Sequence, residues 1–171
     1  TKDYKSAVSL LTEAVQSAKR FEMPRPRAAA LLTLSRVYKE MGEMEKADEC
    51  ASEAAIAARD LVDMYVLPRH LAAAAEIKVH RGKITEADSL YEEAGDLIEA
   101  MLVNVPSARM RSTLVAAMSE VYVGHFALSA EKQGNPARAF EILERARGRA
   151  AADALRALPV QQPRRDGEKA Q

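Results

Sequence analysis

A phrase anchored on a glycine constrains this chain more than any other feature. After Gly42 come Met44, Ala47, Ala51 and Ala54, at two, five, nine and twelve residues. Steps of four and three place these side chains on one stripe of a helix. The glycine suits the end of the preceding helix, where a positive φ is often required. The phrase returns as Gly82, Ile84, Ala87, Tyr91 and Ala94, and again as Gly134, Pro136, Ala139, Leu143 and Ala146. A truncated copy (Tyr4, Ala7, Leu11, Ala14) opens the chain, with Lys2 in the place of the glycine. The intervals from Lys2 to Gly42 and from Gly42 to Gly82 are 40 residues each, and the next, to Gly134, is 52. Self-similarity at such a period marks an array of stacked helical repeats.

The segments between these anchors read as helices. Apolar periodicity predicts helices over residues 3–20, 27–41, 43–64, 68–81, 85–103, 108–133 and 136–158. Pro24, Pro26, Pro68, Pro106 and Pro136 stand where helices start or stop, as proline is tolerated in a first turn but not inside. Ser107 is the expected N-cap of the sixth helix. That helix is longer than its counterparts and absorbs the twelve extra residues of the last interval. Gly124 falls inside it at a cost of up to about 1 kcal/mol relative to alanine, which points to a close packing contact. The fifth helix is acidic on its outer side (Glu86, Asp88, Glu92, Glu93, Asp96, Glu99), and a solvated face is expected there. Residues 159–171 are polar, with Pro163 and Gly167, and read as a linker or tail.

Composition removes several function classes. The 25 basic and 25 acidic side chains cancel, which argues against a dedicated nucleic-acid or anionic-membrane surface. No apolar run nears the roughly 18 residues a membrane span needs. A single cysteine excludes an internal disulfide and fits a reducing, cytoplasmic compartment. No phosphate-binding glycine loop, nucleophile elbow or paired-cysteine pattern occurs. His70 and His80 lie ten residues apart on one helix, the wrong spacing for a joint metal site, and each reads as a surface or groove histidine, as does His125. Cys50 sits beside the buried stripe and reads as a packing residue. No catalytic, cofactor or metal residue is expected, and we expect no enzyme here.

Counting back from each glycine completes a known pattern. Eleven, eight, seven and four residues before Gly42 stand Leu31, Leu34, Ser35 and Tyr38. Before Gly82 the equivalents are Leu71, Ala74, Ala75 and Lys78, and before Gly134 they are Val123, Phe126, Ala127 and Ala130. Large, large, small, aromatic on a first helix, then small, large, small on a second, resembles the tetratricopeptide repeat. The departures are the missing tryptophan, Lys78 and Ala130 in the aromatic slot, and periods longer than usual. The resemblance implies a right-handed superhelical solenoid of antiparallel helix pairs, all-α, with about seven helices. It covers residues 1–158, in copies of about 1–22, 25–64, 67–104 and 107–158. It also implies a protein–protein interaction scaffold that binds a peptide segment or partner domain in its concave groove. Thr1 is not an initiator methionine and the first copy lacks its first helix, so an excerpt of a larger protein is expected.

A narrower resemblance lies at the end of the repeats. The run from Tyr122 to Leu128, with Ala139-Phe140-Glu141, the stretch Leu143 to Ala150 and Asp153-Ala154-Leu155, is similar to the last repeat of bacterial proteins that carry a C-terminal CHAT domain. That domain is caspase-like, and its catalytic motifs would fall beyond Gln171. The alternative function is therefore a regulatory arm of such a protease, with Arg147 and Arg149 as candidate interdomain docking residues. Arg138 and Arg145 read instead as a solvated face relieved by Glu141, Glu144 and Asp153 on the same helix.

In such repeats the first helix of each pair lines the concave side. The expected groove residues are Leu32, Arg36 and Lys39, then Arg69, Glu76 and His80, then His125 and Leu128, with Ala29, Ala72, Val121, Gly124 and Glu131 alongside. Chaperone-binding members of the family hold a free carboxyl terminus with lysines and asparagines. Leu32, Arg36, Ala72 and Glu76 occupy those slots, so the expected partner is a protein segment with an apolar anchor and an acidic group. At the N-terminal end Val8, Leu11 and Val15 should be partly uncovered, which predicts self-association there or a frayed first helix.

Overall fold

A computed structural model describes the backbone of residues 3–61, 63 and 65–157, with side chains for all of these except 108 and 147–157. Residues 159–171, the expected linker, lie outside the described residues. Among the described residues the chain is all-helical. The helices are α1 (Tyr4–Arg20), α2 (Pro24–Glu40), α3 (Met44–Arg59), α4 (Leu67–His80), α5 (Ile84–Val103), α6 (Ala108–Ala117), α7 (Ser119–Ala127) and α8 (Pro136–Ala157). A π-helical turn, Leu128–Lys132, extends α7.

The glycines act as expected. Gly42, Gly82 and Gly134 have φ of 78°, 72° and 61°. After α2 the Glu43 amide donates to the Tyr38 carbonyl (2.9 Å) and the Gly42 amide to that of Lys39 (3.0 Å). After α4 Lys83 donates to Lys78 (2.9 Å) and Gly82 to Val79 (3.0 Å). These paired bonds satisfy the orphan carbonyls of a helix end and turn the chain back within three residues. After the π turn the corresponding bond runs from Asn135 to Ser129 (2.9 Å), one residue farther along the chain.

Most helices pack chiefly on a chain neighbour, α1 on α2, α2 on α3, α3 on α4, α4 on α5 and α7 on α8, whereas α6 packs chiefly on α8. The first helices of successive pairs, α2 with α4 and α4 with α7, also touch. The α2–α3 region is lined by fully buried alanines (Ala28, Ala47, Ala51, Ala54 and Ala58) with Leu31, Leu34 and Ser35. Toward α5 the side chains grow, and Leu71, Ile77, Ile98 and Leu102 fill the space. One apolar cluster runs from Ala47 to Ile142, and a smaller one gathers around Ala28, Ala57 and Ala58. Val8, Leu11 and Val15 of α1 are half-buried.

Four expectations need correction. The expected sixth helix is two helices, broken at Met118 (φ −108°, ψ 12°), and α3 ends at Arg59 rather than near residue 64. Ser107 takes the N-cap position of α6 with extended backbone but makes no side-chain cap bond. The pattern counted back from Gly134 is also out of register. Val123 is 66% exposed and Phe126 40%, while Tyr122, His125, Leu128 and Ser129 are buried. The buried residues of α7 follow those of α4 at an interval of 51, not 52. The π turn supplies the extra residue, because an i→i+5 turn holds one residue more than an α turn over the same stretch. The other extra residues form α6 and its link.

Candidate partner-binding face

The first helices of the pairs, α2, α4 and α7, present side chains to one surface, tied together by ion pairs. Lys39 of α2 reaches Glu76 of α4 (2.6 Å), and Arg69 of α4 reaches Glu120 of α7 (3.1 Å). Leu32 is half-buried beside them, and Arg36 and His80 are exposed. Arg36 has no ion-pair partner among the described residues. Glu120 was not foreseen; its signal was available, because it lies 51 residues after Arg69 in the register that the π turn sets.

Four expected groove residues are buried, Ala72 and Val121 among them. Leu128 is 1% exposed and His125 3%, so neither side chain is open to a partner; the register error at the π turn had put them on the wrong face. His70, expected at the surface, is also buried, with Nδ1 at 2.9 Å from the Val66 carbonyl. Arg147 and Arg149 lie on the part of α8 whose side chains are outside the described residues.

His125 belongs to a polar cluster between α5, α7 and α8. Its ring stacks on Tyr91 (centroids 5.6 Å apart, planes at 15°), and Nε2 lies 3.0 Å from Asp88. Burial pushes the His125 pKa down, against the opposing pull of Asp88 and Glu92. Burial likewise pushes the Tyr91 hydroxyl up to about 12. Gly124 makes this stacking possible. A Cβ there would sit 2.6 Å from Tyr91 Cζ and 2.8 Å from Cε1, which confirms the close contact expected at that glycine.

Part of the acidic side of α5 (Asp88, Glu92, Asp96 and Glu99) docks α8, while Glu86 stays exposed and Glu93 pairs with Arg59 of α3. Arg145 spans three carboxylates: Glu92 (2.7 Å), Asp96 (2.8 Å) and Glu99 (2.7 Å). Arg138 meets Glu92 (2.9 Å) and Asp88 (3.4 Å). Both arginines thus pair across helices, and among the described residues neither meets Glu141 or Glu144 of its own helix. Gly95 of α5 leaves room, since a Cβ there would touch the Arg145 guanidinium at 3.7 Å. Burial lowers the Arg145 pKa, but the hydrogen bonds to Glu99, Glu92 and Asp96 outweigh it and hold the pKa raised.

Asp48 of α3 is a second junction. Its side chain is 6% exposed and contacts Lys78 (3.1 Å), Lys83 (3.3 Å) and Arg81. Burial raises the carboxyl, yet the bonds from Lys78 and Arg81 outweigh it and hold it below the usual range. Asp48 and Asp88 both stand six residues after a glycine, which was the available sequence signal. Lys78, in the slot for an aromatic, is explained by this pairing. Cys50 is half-buried, and burial, then Glu53 and Glu49, push its thiol up to about 11. A thiol so protonated at neutral pH is a poor nucleophile, which suits the packing role.

No family model matches this chain, and no curated protein matches it. Among solved structures it is similar to BtubC (BKLC) from P. vanneervenii, at 13% identity and a TM-score of 0.45, over 99% of this chain and 98% of that one. No helix among the described residues is long and apolar enough to cross a membrane.

Proposed function

We propose that this chain is an interaction scaffold of the tetratricopeptide type, a right-handed solenoid of helix pairs that offers the α2–α4–α7 face to a protein segment. The observation that carries this reading is the pair of cross-helix bridges, Lys39–Glu76 and Arg69–Glu120. They join three successive first helices side by side, so that one ligand could touch all three. The glycine period of 40 residues supports it independently. Within that face the acids Glu76 and Glu120 are already matched by bases, which leaves Arg36 as the open charge and Leu32 as the apolar contact. The ligand that fits is a segment with a carboxylate placed to meet Arg36 and an aliphatic or aromatic anchor beside it.

Selection of a random peptide library on the immobilised chain tests this. Selected peptides should share an Asp or Glu close to a large apolar residue. The double variant Arg36→Glu, Arg69→Glu should weaken them by well over about 1 kcal/mol, with the far-ultraviolet circular dichroism unchanged. Peptides that bind this variant as tightly as the parent would place the binding face elsewhere.

A further inference from the structure

Tyr91 reaches the α2–α4–α7 face from beneath. It belongs to α5, yet the tip of its ring fills the place of the side chain that Gly124 of α7 lacks. A Cβ at Gly124 would run into Oη, with Cζ at 2.6 Å and Cε1 at 2.8 Å. Gly124 stands four residues after Glu120, on the same stripe of α7, and Glu120 is the residue that Arg69 of α4 meets. The hydroxyl of Tyr91 therefore comes up at the seam between α4 and α7, on the stripe of a face residue. The walls of the seam are small there: Ala73 of α4 precedes Gly124 by the 51 residues of this register, and Ala73, Gly124 and Ala127 are each half-buried.

Tyr91 is 4% exposed, but its hydroxyl has no hydrogen-bond partner among the described residues. It differs from Ser129 Oγ and His70 Nε2, which are also unpartnered but sealed from solvent. A tyrosine so deeply buried ordinarily satisfies its hydroxyl. Packing alone does not call for the oxygen, since a phenylalanine would fill the same space and stack equally well on His125. Two exposed acids of the face act on the phenol: burial, then Glu76 and Glu120, push it up to about 12, so it keeps its proton at neutral pH. Those acids are matched by bases, Lys39 with Glu76 and Arg69 with Glu120, and the position therefore selects no ion. A protonated hydroxyl both donates and accepts, and an amide offers it both a carbonyl and an N–H.

We propose that Tyr91 is a binding residue of the α2–α4–α7 face, and that its hydroxyl takes a neutral amide of the bound segment where that segment crosses Gly124. The amide comes from the main chain or from an Asn or Gln side chain. This inference rests on the binding role proposed above for that face, and adds to it an uncharged contact supplied by a second helix, separate from the one at Arg36.

The test uses the peptides selected from the random library on the parent chain. Tyr91→Phe removes one oxygen and should weaken them roughly three- to tenfold, with the circular dichroism and Tm unchanged. Two series of peptide variants then locate the contact: ester replacement of each main-chain amide in turn, and replacement of each Asn or Gln by Leu. One position should weaken binding to the parent by a similar factor and have no effect on binding to Tyr91→Phe. The series that contains it tells a main-chain amide from a side-chain one. Equal binding by the parent and Tyr91→Phe, with the loss at Arg36→Glu, Arg69→Glu intact, overturns this inference alone. Peptides indifferent to both variants overturn it together with the binding face. Loss with Tyr91→Phe but not with the double variant keeps Tyr91 and removes the role given to Arg36. A Tyr91→Phe chain with a lower Tm would mean that the hydroxyl is satisfied inside the protein, which overturns the inference, as does the lack of any coupled position.

Discussion

The α2–α5 half of the molecule and its α7–α8 end hold their helices together by different means. In the first, small side chains let the helices approach, and the glycine-anchored period is kept. In the second, the period is broken by α6 and by the π turn, and α8 is tied to α5 through Arg138 and Arg145. Apolar packing is not screened by salt, whereas ion pairs between partly exposed groups are. A repeat that loses register can thus still dock, by exchanging shape complementarity for long charged side chains that tolerate an offset. The regular half has partly exposed cross-helix pairs too, Lys39–Glu76 and Arg59–Glu93, but its distinctive ionic junction is the buried one at Asp48.

The largest effect should come from that junction. Asp48→Asn leaves Lys78 and Arg81 without their buried partner and should cost about 2 to 3 kcal/mol, below the full value for a fully buried pair because both cations keep some water. Its pH dependence is fixed in sign. The folded carboxyl has a pKa below its unfolded value near 3.9, so its contribution is complete above that value and is lost as pH falls through the folded pKa. Urea unfolding should therefore show a gap between parent and variant at neutral pH that closes as pH falls below about 4. A gap of constant size from neutral pH down to pH 3 would show that shape, not charge, matters there.

Next in size is Gly124→Ala. Overpacking against Tyr91 should cost about 1 to 3 kcal/mol, even though alanine is the better helix former. Combining it with Tyr91→Leu, which removes the hydroxyl and ring atoms nearest the new methyl, should recover part of that loss. A double variant no better than the sum of the two singles would mean that the clash lies elsewhere.

The smallest effect should be that of Arg145→Met, which keeps the aliphatic stem and removes the charge. We expect about 1 kcal/mol at low salt, shrinking toward zero in molar salt. Hydrogen exchange should localise it to α8 and leave α3 as protected as in the parent. Equal loss of protection in both helices would erase the distinction between the two halves.

How much of this was legible depends on the range of the physics involved. The glycines could be placed because a positive φ is a demand of the chain on one residue. Gly124 could be read as a close contact because glycine inside a helix is costly without one. The π turn has no comparable local sign: Leu128, Ser129 and Ala130 would serve equally in an α-helix. Its single extra residue was enough to put His125 and Leu128 on the wrong face. Arg138 and Arg145 were misread for a similar reason. Carboxylates at helical spacing on α8 and others across on α5 are equally good partners on paper, and only the packing chooses between them.

The order of helix contacts also bears on how the chain reaches this state. Nearly every substantial interface joins helices adjacent along the sequence, so little loop entropy is spent before a contact is made, and such topologies fold fast. A turn closed by Gly42 or Gly82 can bring its two helices together without waiting for the rest of the molecule. The interfaces at the α7–α8 end, α4 with α7, α5 with α7 and the arginine tie of α8 to α5, join parts that lie farther apart in the chain. Closing a glycine turn thus costs less chain entropy than closing the arginine tie of α8, whose partners are separated by two intervening helices.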